Sequence, residues 1–239
     1  MNDVFTRGWI NLSIQWGLDS FSNYIDEMED ILSVQLKKLE KKYKEEIKNI
    51  SEDQAEDLFE YNYADQVSYL KDDFPNILRK SFVTSLYSFL EQQLGKICEQ
   101  VQLARLDDSK IRSGIFNYYE YLTDEVRVDF DTLNEAWSKI EKINKIRNHI
   151  VHNGDDTLNK VKSPQSKEEK RNNAAIDAYL YFNLAKEDKV YNDFLISENK
   201  ANKLKYDIKI SSDFCEEILN ITRVFFDTLT NLLKDYKKS

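Results

Sequence analysis

The chain has 239 residues, with 34 basic and 43 acidic side chains for a formal net charge of -9. Such a surface does not attract nucleic acid over its whole area, so any phosphate-handling site must be a local basic pocket. Five glycines and two prolines are too few for a turn-rich β-sandwich or barrel, and Gly8, Gly17, Gly95, Gly114 and Gly154 assemble no P-loop or dinucleotide fingerprint.

Residues 4–26 are dense in aromatics and aliphatics and predict a largely buried opening helix. From Glu27 to Ile50 the pattern narrows to one apolar stripe, Ile31, Leu32, Leu36, Leu39, Tyr43, Ile47 and Ile50, with Lys and Glu between. That predicts a long amphipathic helix leaning on a neighbour, in preference to a dimeric coiled coil, because sustained a/d heptads are too few. Ser51 with Glu52 and Asp53 starts another helix. Pro75 is read as a separator, followed by a strong helix over 76–102 whose apolar face is Leu78, Phe82, Leu86, Phe89, Leu90, Leu94, Ile97 and Val101. Glu91 falls at the edge of that face.

A shorter aromatic helix is expected over 109–122, and another over 133–153, capped by Asp131 or Thr132 and ended by Gly154 in a left-handed cap. Residues 155–173 are polar, aperiodic and proline-containing, which predicts a loop. A helix over 174–185 follows. Alternation over 189–196 and 204–210 around SENKAN predicts a small β-hairpin. Ser211, Ser212 and Asp213 cap a final helix from Phe214 to about Tyr236.

Cys98 and Cys215 lie in separate predicted helices and read as buried thiols, with neither a disulfide framework nor a CxxC metal site. The opening MNDVFTRGWINLSIQWGLDS has no uninterrupted apolar run or small-residue cleavage site. With no long apolar span elsewhere, the expectation is a cytoplasmic protein without a membrane partner.

Both histidines fall in one hexapeptide, Arg147-Asn148-His149-Ile150-Val151-His152. Any imidazole acid–base chemistry must come from there. On a helix, Asn148 and His152 share a face one turn apart, while Arg147 points about 140° away from His152. An arginine offers a forked cation for a phosphate, a histidine a proton donor or acceptor, an asparagine an orienting amide. That trio is what metal-independent cleavage of an RNA phosphodiester requires. A metal on His149 and His152, three apart, would need a third ligand that no motif supplies, and no metal or cofactor is expected.

The segment RNHIVHNG resembles the R-x4-6-H motif of the HEPN (higher eukaryotes and prokaryotes nucleotide-binding) superfamily, with Asn148 directly after the arginine. SFVTSLYSFLEQQLGKIC resembles the family's second core helix, with its acidic position at Glu91. YDIKISSDFCEEILNITRVFFDTL is similar to the last strand and helix of larger bacterial members. The resemblance covers about 80–236. It implies a mainly α, HEPN-like helical bundle over 76–239, with the loop at 155–173 and a small hairpin before the last helix, and an N-terminal helical elaboration over 1–75. It further implies a metal-independent endoribonuclease of a toxin–antitoxin or phage-defence system. Arg147 would then hold the scissile phosphate, His152 act as general acid or base, and Asn148 orient one of them. His149 would be auxiliary, although a helix-surface role is the expectation for it. The family's dimers place two motifs at one cleft, so a homodimer is implied, with an RNA substrate (tRNA among the candidates) and an antitoxin or sensor partner. The family's nucleotidyltransferase-modified members carry a tyrosine two residues past the histidine, where this chain has Gly154. Tyr118, Tyr119 and Tyr121 are weighed as base-stacking residues against core packing, the packing role being favoured. The alternative reading is a catalytically inactive HEPN-like interaction or nucleotide-binding module that docks through the 27–50 helix.

Overall fold

A computed structural model describes residues 2–106, 110–152, 156–191 and 203–234. Helix α1 runs unbroken over Asn2–Glu46, about 68 Å at 1.5 Å per residue. The expected division at Glu27 is therefore a change of neighbour, not of helix. Ile14, Leu18, Ile25, Met28 and Leu32 of its first two thirds are buried. Beyond Leu32 the stripe is only half-covered, by α2 (Glu52–Asn62), where Tyr43 meets Phe59 and Tyr63 edge-on at 5.6 and 5.2 Å. Ser51 caps α2 as expected, its hydroxyl accepting from the Gln54 amide while the Gln54 side chain accepts from Ser51.

Pro75 does not separate the chain. Helix α3 (Ala64–Ser68) continues through a π turn, Tyr69–Asp73, into α4 (Phe74–Arg105). Pro75 sits in the first turn of α4, where a missing N–H is tolerated, and the preceding wide turn lets the Phe74 amide donate to the Tyr69 carbonyl. After a short α5 (Ile115–Glu120), helix α6 spans Asn134–His152. Gly154 lies outside the described residues.

Of the segment expected to be a loop, 155–173, the described residues 156–173 are structured. Thr157–Lys160 forms strand β1, and α7 begins at Lys167, ahead of the expected 174, and runs to Tyr181. Its start is fixed by a capping box between Ser166 and Glu169, and Asn173 takes the Val161 amide and gives to the Val161 carbonyl at 3.0 and 2.7 Å. Strands β2 (Ala185–Tyr191) and β3 (Lys203–Ile208) pair antiparallel, as the hairpin reading requires, with β2 beginning before the expected 189. The SENKAN turn lies outside the described residues. β1 adds to β3 in the order β1-β3-β2, with Leu158 opposite Tyr206, both buried. Ser211 caps α8 (Ser212–Lys234) by accepting from the Phe214 amide, and Ile218, Ile221, Phe225 and Leu229 of α8 are buried.

Helices α1, α4, α6 and α8 make the bundle: α4 and α8 touch each other, α1 packs on both from one side and α6 on both from the other. Ile14, Leu18 and Ile25 of the expected N-terminal elaboration therefore share one core with Leu94, Ile140 and Phe225. A polar knot ties five segments together. Asn76 of α4 accepts from the Ile210 amide and donates to Asp156, Lys80 pairs with Asp156, Lys209 with Asp72, and Arg79 holds Glu29 of α1 with two bonds of 2.7 and 2.8 Å. Among the described residues no helix is long and apolar enough to cross a membrane.

Gly17 of α1 faces the ring of Phe89, and a Cβ there would lie 2.4 Å from two ring carbons. In an open helix, alanine beats glycine by about 1 kcal/mol. Here Phe89 is itself wedged edge-on against Phe21 at 5.5 Å, so the ring must move out of its packing. Gly17→Ala is expected to reverse the usual sign, destabilising by about 1–2 kcal/mol and lowering the Tm in thermal denaturation.

Candidate functional site

The buried positions of α6 are Trp137, Ile140, Ile143, Ile146 and His149. Strict spacing of three drifts by about 60° per step around a helix, so the helix presents successive faces to successive neighbours. Trp137 lies at the α8 end of this sweep, 6.0 Å from Phe225, and His149 at the α7 end, its ring edge-on to Tyr179 at 6.1 Å. His149 is thus buried, 8% exposed, contrary to the expectation of a helix-surface histidine. The cause is α7, which packs on α6 and lays Tyr179 over that face.

Arg147 points elsewhere, onto α4. Its guanidinium carbon lies 5.4 Å from the centre of the Tyr87 ring, within cation–π range. One terminal nitrogen donates to the Asn148 side-chain oxygen at 3.0 Å, and the Asn148 amide in turn donates to Asn144 at 3.1 Å. Nε of Arg147 is buried without a hydrogen-bond partner among the described residues. Buried donors are nearly always satisfied, so this half-buried guanidinium keeps one N–H with hydrogen-bonding capacity to spare.

Glu91 comes to the same place from α4. Burial pushes the Tyr87 hydroxyl pKa up, the Glu91 charge adds to that, and Arg147 opposes it. Burial likewise raises Tyr118, again with Glu91 next in effect. The carboxylate therefore sits among Tyr87, Tyr118 and, through Tyr87, Arg147. Tyr87 and Asn144 form part of this cluster without having been singled out in the sequence. Tyr87 was visible only as the residue one helical turn before Glu91, and Asn144 as the residue one turn before Asn148.

His152 is the last described residue of α6, exposed, and makes no hydrogen bond or ion pair with a described residue. It lies one turn beyond Asn148, while Arg147 turns inward to Tyr87. The structure brings Arg147 onto Tyr87 and Asn148, leaves Glu91 one helical turn beyond Tyr87 on α4, and sends the two histidines to different surroundings. Among the described residues no group of three His, Cys, Asp or Glu side chains is placed to hold a metal ion.

No protein-family model, curated protein or solved structure matches the chain. The site is therefore read from its own chemistry. A fixed guanidinium suits negative charge growing on a phosphoryl oxygen, and an exposed imidazole suits proton transfer with a mobile substrate. The tyrosines weighed as base-stacking groups serve the fold. Tyr119 is stacked on Trp137 at 4.2 Å, Tyr121 is buried, and Tyr118 fills the space beside Gly95.

Proposed function

We propose that the chain is a metal-independent endoribonuclease of the HEPN kind, serving a toxin–antitoxin or phage-defence role. The observation that carries the reading is Arg147, braced by Tyr87 and Asn148 with its buried Nε unsatisfied, five residues before an exposed His152. The 2′-hydroxyl of one nucleotide attacks the adjacent phosphorus, the P–O5′ bond breaks, and the products are a 2′,3′-cyclic phosphate and a 5′-hydroxyl. Arg147 stabilises the negative charge on the phosphoryl oxygens, and His152 removes or returns a proton. Within one chain the two side chains diverge by about 140° around the helix and lie ~7.5 Å apart along it. A homodimer that sets one copy's Arg147 near the other's His152 supplies both at one phosphate. The -9 charge favours a short exposed loop, such as a tRNA anticodon, over a long duplex.

Incubation with total tRNA in excess EDTA, with the product ends identified, tests this directly. Cleavage that persists in EDTA with cyclic phosphate ends, and falls by about 10²–10³ in Arg147→Ala, is expected. A strict divalent-metal requirement sinks the reading. A folded assembly that leaves RNA intact favours the silent interaction or nucleotide-binding module.

A further inference from the structure

The outward face of α1 is unusually apolar for a helix surface. Trp9, Leu12, Trp16, Ile31 and Val34 are exposed by 52, 39, 60, 56 and 59%. On a helical wheel they fall on one stripe with Ser20, Asn23 and Glu27, all eight positions exposed, opposite the buried Ile14, Leu18, Ile25 and Leu32. The stripe is therefore not a side effect of packing on α4 and α8.

Its order is self-complementary. The eight positions follow spacings of 3, 4, 4, 3, 4, 4 and 3, an eleven-residue repeat that runs almost straight along a helix. Read from either end it is the same, so two antiparallel copies set Trp9 opposite the partner's Val34 and Leu12 opposite the partner's Ile31. Trp16 meets the stem of the partner's Glu27, and Ser20 meets the partner's Asn23. The Ser20 hydroxyl donates to the Trp16 carbonyl of its own helix, which leaves its oxygen able to accept from the partner's Asn23 amide. Bulky apolar groups thus close both ends, and short polar side chains at the middle let the backbones approach. A two-fold interface requires this reciprocity, in which residue i meets j and j meets i. A different protein as partner would not require it.

We propose that this face of α1 pairs antiparallel with the same face of a second copy, about a two-fold axis between Phe21 and Ser22. A buried aromatic removes about 150–250 Å² from water, so each half-exposed tryptophan leaves roughly 100 Å² to bury. Both copies' tryptophans, aliphatics and flanking side chains together reach on the order of 1,000 Å², the lower bound for a specific interface. The pairing is independent of the nuclease reading. α1 and α6 lie on opposite sides of the α4/α8 pair, so it leaves the Arg147 edge free.

Two single-cysteine variants, Leu12→Cys and Ile31→Cys, test the register. Burial pushes both native thiols, Cys98 and Cys215, up to about 12, which keeps them out of thiol exchange. In the antiparallel pair position 12 is opposite the partner's 31, but ~28 Å from the partner's 12. Disulfide cross-linking under mild oxidation is expected in the mixture of the two variants and in neither alone. Cross-linking of each variant alone, or of none, overturns the proposal. Independently, Trp16→Asp/Val34→Asp is expected to halve the particle mass by light scattering with unchanged circular dichroism. An unchanged mass in that folded variant also overturns it, even if the chain dimerises elsewhere.

Discussion

His152→Ala is expected to reduce RNA cleavage by about 10²–10⁴, the usual contribution of a positioned acid or base, with no change in thermal stability. The side chain is exposed and makes no hydrogen bond or ion pair with a described residue, so its removal leaves the packing untouched. His149→Ala is the matched control. That ring is buried against Tyr179, and its loss is expected to lower the Tm through a cavity between α6 and α7. Comparing cleavage rates and Tm for both variants separates chemistry from folding. An H152A protein that cleaves at the wild-type rate removes His152 from the mechanism, whatever becomes of Arg147.

The largest expected loss of stability is at Phe225. Its ring is fully buried in α8, 6.0 Å from Trp137 and 5.5 Å from Phe226. Trp137 is in turn stacked on Tyr119, which meets Phe130 edge-on at 4.8 Å. Phe225 is thus the link by which an aromatic column joins α8 to α6 and α5. Phe225→Ala removes the transfer energy of a whole ring and leaves a hole that rigid neighbouring rings cannot fill, about 3–5 kcal/mol. A single domain has about 5–15 kcal/mol in all, so the urea midpoint should fall by about a fifth or more. A fall of under 1 kcal/mol would mean that the column repacks.

The parts of this fold that were legible in the sequence are those where one helix meets one environment. α8 repeats Ile218, Ile221, Phe225 and Leu229 behind a serine cap and faces one core throughout. The elements that misled change their surroundings along their length. α1 reads as two helices because its neighbours change from α4 and α8 to α2, which Tyr43 meets, although its backbone never breaks. Pro75 reads as a boundary because its missing N–H normally ends a helix, and a π turn circumvents that. The early start of α7 did carry a signal, the S-x-x-E of Ser166 and Glu169, hidden in a stretch whose polarity suggested a loop. β1 carried almost none, since one buried residue, Leu158, in four is no alternation. At the site, the i, i+4 relation of Asn148 and His152 was legible, as was the divergence of Arg147. The inward turn of His149 was not, because it depends on a helix that begins eighteen residues later in the chain.

The polar knot has a consequence for how the protein is made. Its members, Glu29, Asp72, Asn76, Arg79, Lys80, Asp156, Lys209 and Ile210, are spread across most of the chain. A ribosome adding about 5–20 residues per second delivers Ile210 roughly 10–35 s after Glu29. From the completion of α4 at Arg105 onward, the inner faces of α1 and α4 are synthesised but lack α8, their common lid. The nascent chain therefore carries a greasy, unfinished half-bundle for the hundred-odd residues between α4 and α8. It closes only once α8 has followed, so those inner faces stay uncovered until then.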